Sequence, residues 1–225
     1  MTVNNASTTN EKSKTKLKIS KPSKDAYGCL YCRTAASFKG QTERMPKTCP
    51  TLTHSTLTKE TSAYMQESLR TMMQAADKTP FTSDRVLRNR VEELIFYCHE
   101  LGLKRIGIAF CVTLMTEAQK LAKLLGEAGL DPISVCCRVG AVDYSKIGLP
   151  KTHPDKFAAI CNPVAQGKLL NLAQAELVVQ VGLCLGHDMI LQQTCEAPVT
   201  TLVVKDRVLD HNPVQALRQP DSSSQ

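Results

Sequence analysis

The chain has 225 residues, 42% of them hydrophobic and 22% charged, a composition that fits one sizeable globular domain with a small appendage rather than two full domains. Its net charge of +7 is mostly local: residues 1–24 hold six lysines and one glutamate, a net of +5, which leaves the body only +2. Those lysines are neither interleaved with aromatics nor set in a periodic pattern, so nucleic acid is not the expected partner, and no run of about 18 apolar residues calls for a membrane span.

Residues 1–25 read as a basic, disordered tail, because a Lys/Ser/Thr/Asn segment cannot bury enough apolar surface to fold. It carries no apolar stretch of the secretory kind, so the protein is expected in the cytoplasm with its ten cysteines largely reduced. Residues 26–55 are polar and without periodicity, and hold Cys29-x-x-Cys32 and Cys49-Pro50. Two thiols with two residues between them can bite one metal ion and Cys49 can supply a third ligand, so this segment is expected to be a zinc knuckle ordered by its metal. A reversible dithiol is the other reading of the Cys-x-x-Cys pair.

Residues 56–103 are expected to be helical. Tyr64, Leu69, Met72, Met73 and Ala76 suit the buried face of a helix over 58–78. A second helix, capped by Asp84, buries Leu87, Val91, Leu94, Ile95, Cys98 and Leu101 and stops at Gly102.

Over residues 104–217 strands and helices alternate. Ile106 to Phe110 is an apolar run too short for a helix, followed by a helix opening at Thr116 and ending before Gly129. Pro132 to Cys137 reads as a second strand, and Arg138 to Lys156 as a long irregular connection of the kind that serves as a lid or binding loop. Asn162 and Pro163 then start a helix as cap and first helical residue, with Leu169, Leu170 and Ala173 facing inward. Glu176 to Leu183 is a third strand, His187 to Cys195 a short helix and Val199 to Val204 a last strand, with residues 218–225 a disordered tail. The alternation predicts an α/β fold, a three-layer, Rossmann-like arrangement around a mostly parallel sheet.

Ligands of such sheets bind outside the carboxyl ends of the strands. Cys111 follows the first strand, Cys137 ends the second, Cys161 precedes the helix after the long loop, and Cys184 ends the third. Four segments therefore send thiols toward one edge, where they are candidate ligands of zinc, an iron–sulfur cluster or another soft metal. Cys136 is expected to face the opposite side from Cys137, and Cys98 and Cys195 to be packing residues.

A competing pattern lies in Gly182-Leu183-Cys184-Leu185-Gly186-His187, which follows a strand and opens a helix. It resembles the nucleophile motif of class I glutamine amidotransferases, which implies Cys184 as nucleophile, with His187 a further catalytic candidate. The chain departs from that pattern downstream, where His211 stands without a nearby glutamate after it.

Cys29-Leu30-Tyr31-Cys32, Met45 to Pro50, Ile106 to Cys111, Cys161 to Gln166, Gly182 to Asp188 and Thr200 to Arg207 together resemble the domain-of-unknown-function 1847 family of prokaryotes, described as predicted metal-binding proteins. The resemblance runs from about Gly28 to Leu217 and implies metal binding without implying a reaction. It also implies a further cysteine soon after the first pair; Arg33 to Phe38 contains none, and Ser37 stands near that place. The functional expectation is thus a cytosolic metal-binding protein with two thiolate sites and a small-molecule or protein partner. A Cys184 hydrolase and a metal sensor or carrier are the alternatives.

Overall fold

The computed structural model describes residues 29–218, so the tails expected over 1–25 and beyond Arg218, and the first residues of the expected knuckle, lie outside the described residues. The described residues fall into two compact units that part after Met65.

The first unit is built from short turns. A 3-10 turn at Cys29–Tyr31 and another at Thr42–Arg44 precede two one-turn helices, α1 (Pro50–Thr53) and α2 (Ser55–Thr58), and a 3-10 turn at Ser62–Met65. Ala36 is its buried apolar side chain, whereas Leu30, Phe38 and Leu57 are exposed. Its described residues thus hold almost no hydrophobic core.

The second unit opens with α3 (Glu67–Lys78) and α4 (Arg90–Glu100). The expected face of the first helix is not the one buried: Ala75 is the buried residue of α3, while Tyr64, Leu69 and Met73 are exposed. Asp84 does not cap the second. Asn89 does, its side chain accepting from the Val91 and Glu92 N–H groups while the Glu92 carboxylate accepts from the Asn89 N–H. That reciprocal box satisfies three backbone donors at once. Leu87 consequently lies outside the helix, bridged to Phe81 and exposed.

Four strands follow: β1 (Arg105–Phe110), β2 (Asp131–Cys136), β3 (Leu177–Val181) and β4 (Val199–Val203). They form one parallel sheet in the order β2-β1-β3-β4, with Phe110 opposite Cys136 and Val181. The connecting helices are α5 (Met115–Glu127), α6 (Pro163–Leu172) and α7 (His187–Thr194), and α8 (Val214–Arg218) ends the described chain. The path steps one way from β1 to β2 and the other way from β2 through β3 to β4. Right-handed crossovers then put α5 on one face and α6 and α7 on the other.

The packing follows that rule. On one face Leu94 and Cys98 of α4 and Leu121 and Leu125 of α5 pack with Ile106, Ile108 and Val179. On the other, Leu170 of α6 and Leu191 of α7 pack with Ala109, Val178 and Leu183. The fold is therefore the expected α/β arrangement, a parallel sheet with helices on both faces. Asn162 caps α6 through the Ala165 N–H with Pro163 first in the helix, as the sequence implies, although Leu169 faces outward. Among the described residues no helix is long and apolar enough to cross a membrane.

Candidate functional site

The strand order reverses between β1 and β3, so the crevice beyond their carboxyl ends is the switch point at which such sheets bind ligands. Cys111 leaves β1 there, buried, as the residue before a 3-10 turn at Val112–Leu114. Its sulfur meets the Thr113 hydroxyl at 3.4 Å, and Lys205 from the end of β4 donates to that hydroxyl. Burial pushes the Cys111 thiol up, but the Thr113 hydroxyl and N–H, the Lys205 charge and the neighbouring Cys137 thiol outweigh it, so its pKa lies below the ordinary thiol value.

Cys137 sits one strand over, next to Cys111 because the parallel register runs on past Phe110 and Cys136: the Cys137 N–H donates to the Phe110 carbonyl at 2.9 Å. Its sulfur accepts from the Val112 N–H at 3.3 Å. Burial pushes this thiol up to about 12, and the charges of Cys161, Cys111 and Cys136 push the same way. The two neighbours thus have opposite tendencies, one toward the thiolate and one toward the thiol.

Cys161 is half-buried against the same apolar cluster, just before the cap of α6. Cys184 is half-buried in the turn after β3, where Gly182 (φ +62°) and Gly186 (φ +89°) adopt left-handed backbone. Asp188 closes that turn by accepting from the Gly186 and Met189 N–H groups. Arg207, from the loop after β4, donates to the Cys184 sulfur at 3.0 Å. That bond, with the charges of Cys184, Cys111 and Cys161, raises the Arg207 pKa.

The structure therefore brings Cys111, Cys137, Cys161 and Cys184 to one edge from four segments. Their side chains are not drawn together as they stand: among the described residues no three His, Cys, Asp or Glu side chains are grouped to hold a metal ion. The donor chemistry is soft, four sulfurs with cationic Arg207, Lys205 and Arg138 around them, and fits zinc or an iron–sulfur cluster better than a hard cation. His187 is half-buried at the start of α7 with its N–H bonded to the Cys184 carbonyl. His211 is occupied elsewhere, its Nδ1 accepting from the Asp206 N–H at 3.1 Å.

In the first unit Cys29 and Cys32 are exposed and joined by a backbone turn in which the Cys32 N–H donates to the Cys29 carbonyl. The Thr34 hydroxyl, with backbone N–H groups, lowers the Cys32 pKa. Cys49 precedes α1, and the Thr51 hydroxyl and N–H lower its pKa, with Ser37 adding to the effect from 3.8 Å. Ser37, at the place where the family pattern implies a cysteine, thus touches the Cys49 sulfur.

Several residues at the sheet edge escaped the sequence reading. Arg207 and Lys205 look like surface charges until the fold carries them back over β3 and β1. Gln166 of α6 is fully buried, donating to the Val135 and Phe110 carbonyls beneath the cysteines, and its Oε1 has no partner. The same holds for Oε1 of Gln180 on β3. A glutamine one turn into a helix that opens with a Pro is the signal that would have flagged the first.

Fold and site define a doubly wound α/β protein with a cysteine-lined switch point. The chain belongs to the protein family of unknown function DUF1847, whose model matches residues 49–202. That span takes in Cys49 and the four sheet-edge cysteines and leaves Cys29, Cys32 and Arg207 outside. An uncharacterised protein of Methanocaldococcus jannaschii is 42% identical over 130 residues, 58% of this chain and 67% of that protein. No solved structure matches the chain.

Proposed function

We propose that the protein binds a soft metal at the switch point of its sheet, with Cys111, Cys137, Cys161 and Cys184 as thiolate ligands of zinc or an iron–sulfur cluster. The observation that carries this reading is four thiols on the three loops that leave β1, β2 and β3 at one sheet edge, with the Arg207 guanidinium bonded to Cys184. The cations offset the negative charge that four thiolates leave on a divalent ion. A bound metal would hold the loops together and supply Lewis-acid or redox chemistry. Cys29, Cys32 and Cys49 form a second zinc site in this reading, supported by their lowered or exposed thiols and by the near absence of an apolar core around them. All ten cysteines are free, which suits a reducing, cytoplasmic setting.

The test is metal analysis of full-length protein purified without oxygen, followed by cobalt(II) titration watched at the sulfur-to-metal absorption bands. At least one metal equivalent per chain is expected, with C111S, C161S or C184S each lowering content at the sheet edge and C29S or C49S lowering it at the other site. Protein that neither contains nor takes up metal, and whose melting is indifferent to chelator, overturns the reading.

A second reading has its own observation. The turn with two left-handed glycines and the Arg207 guanidinium on its sulfur suit Cys184 as the nucleophile of a hydrolase or amidotransferase-like enzyme. Selective alkylation of Cys184 that persists in C111S and C161S variants would favour it over the metal site.

A further inference from the structure

The long connection between β2 and α6 is not an unstructured crossover. The Ile160 N–H donates to the Val142 carbonyl and the Tyr144 N–H to the Ala158 carbonyl, so its two ends run antiparallel, with Asp143 bridged to Ala159. Asp143 pins the fold from inside: its carboxylate accepts from the Ser145 hydroxyl and N–H, the Ala158 N–H and the Lys151 ammonium. The Ser145 hydroxyl first, then the Ala158 and Ser145 N–H groups, hold its pKa far below the usual carboxylate range. Lys151 in turn donates to the Lys156 carbonyl, closing the loop on itself.

The loop borders an open cavity of about 610 Å³, within the size range of small-molecule sites. Its wall holds Arg138, Lys151, His153 and Lys156, the hydroxyls of Tyr144 and Thr152, and the apolar faces of Pro150 and Phe157, but no carboxylate. Asp143 is spent on the loop and on Lys151, and Asp155 is not among the lining residues. No carboxylate pairs with Arg138, His153 or Lys156 among the described residues. Arg138 lines the cavity and also feels the charges of Cys161 and Cys137 at the thiol edge. Phe157 is 65% exposed at the same wall, an apolar ring with little of the protein against it.

We propose that this cavity binds a small organic phosphate, its head group held by Arg138 and Lys156 and its apolar body laid against Phe157. Arg138 and Lys156, two cations without carboxylate partners, match a doubly charged head better than a singly charged one, and a planar guanidinium can bind two phosphate oxygens at once. A loop already closed by Asp143 loses little conformational freedom when the ligand enters. The site contains no cysteine, although it shares Arg138 with the thiol edge.

Calorimetric titration of the full-length protein at low salt tests it, with phenyl phosphate, inorganic phosphate, benzoate and benzyl alcohol as probes. Phenyl phosphate is expected to bind saturably and benzyl alcohol not at all, with R138Q and K156Q each weakening phenyl phosphate about tenfold or more. F157A should weaken phenyl phosphate while leaving inorganic phosphate unchanged. In the wild type, phenyl phosphate should also slow acetylation of Lys156, a readout that needs no variant. No saturable binding at millimolar phenyl phosphate, unchanged affinity in a folded R138Q/K156Q protein, or unprotected Lys156 overturns the site. Benzoate binding as tightly as phenyl phosphate overturns the phosphate assignment.

Discussion

Arg207 donates a hydrogen bond from Nη2 to the Cys184 sulfur at 3.0 Å, joining the loop after β4 to the turn after β3 across the mouth of the switch point. A hydrogen bond from a guanidinium is charge-assisted and holds the sulfur it reaches in one position. R207Q is therefore expected to slow alkylation of Cys184 by iodoacetamide severalfold at pH 7, read by peptide mapping, while leaving Cys98 as protected as in the wild type. An unchanged Cys184 rate would mean that the guanidinium does not govern the reactivity of that sulfur.

Cys98 makes the opposite use of a thiol. It is fully buried between α4 and the sheet, and burial, helped by the charge of Glu176, pushes its pKa up to about 11 from the ordinary 9.0. A thiol whose folded pKa is raised contributes stability in full below the unfolded value and loses it as the pH climbs through the folded one. Urea unfolding should therefore show the wild type losing more stability between pH 9 and 11 than C98A does, even though C98A starts lower at pH 7 because of its cavity. Equal losses in the two proteins would remove Cys98 from the alkaline transition.

How far the sequence could be read depends on how local each determinant is. The strand at Ile106–Phe110 and the Asn162-Pro163 helix start were legible because an apolar run and a cap act on their own neighbours. The gathering of Cys111, Cys137, Cys161 and Cys184 at one edge followed from the alternation alone, since every parallel strand ends on that side. Whether those sulfurs meet was not legible, because it depends on side-chain directions in three separate loops. Arg207 was missed for a related reason: its partner lies 23 residues back, and nothing local distinguishes it from a surface charge. Leu169 and Leu170 are adjacent leucines, and only packing against β1 selects the second.

The start of α4 is a case where two local signals competed. Asp84 and Asn89 are both cap residues ahead of the same apolar pattern, and Asn89 prevails because Glu92 stands three residues on and completes the box. N89A should lower stability by about 1 kcal/mol, measured by urea unfolding, whereas D84A should change it by less than about 0.5 kcal/mol. Comparable losses in the two variants would restore Asp84 as the cap.

Gly182 and Gly186 flank Cys184 in the same turn, yet the fold demands glycine at them for different reasons. Both have left-handed backbone, φ +62° and +89°, which costs a side-chain-bearing residue about 1 kcal/mol. At Gly186 that is the whole cost, because nothing lies within 4 Å of an added Cβ. At Gly182 an added Cβ would collide with the Leu114 side chain, which is itself buried beside α5, and overpacking a core position costs about 1–3 kcal/mol more. G182A is therefore expected to lose about 2–4 kcal/mol and G186A about 1 kcal/mol in urea unfolding. Because the Gly182 N–H is bonded to the Val203 carbonyl at 2.8 Å, the strain in G182A falls on the turn rather than on β4 and should move Cys184 away from Arg207. G182A should then slow Cys184 alkylation as R207Q does, and G186A should slow it less. A G182A protein as stable as the wild type would show that Leu114 yields, and that the turn is held by Arg207 and Asp188 rather than by the core beneath it.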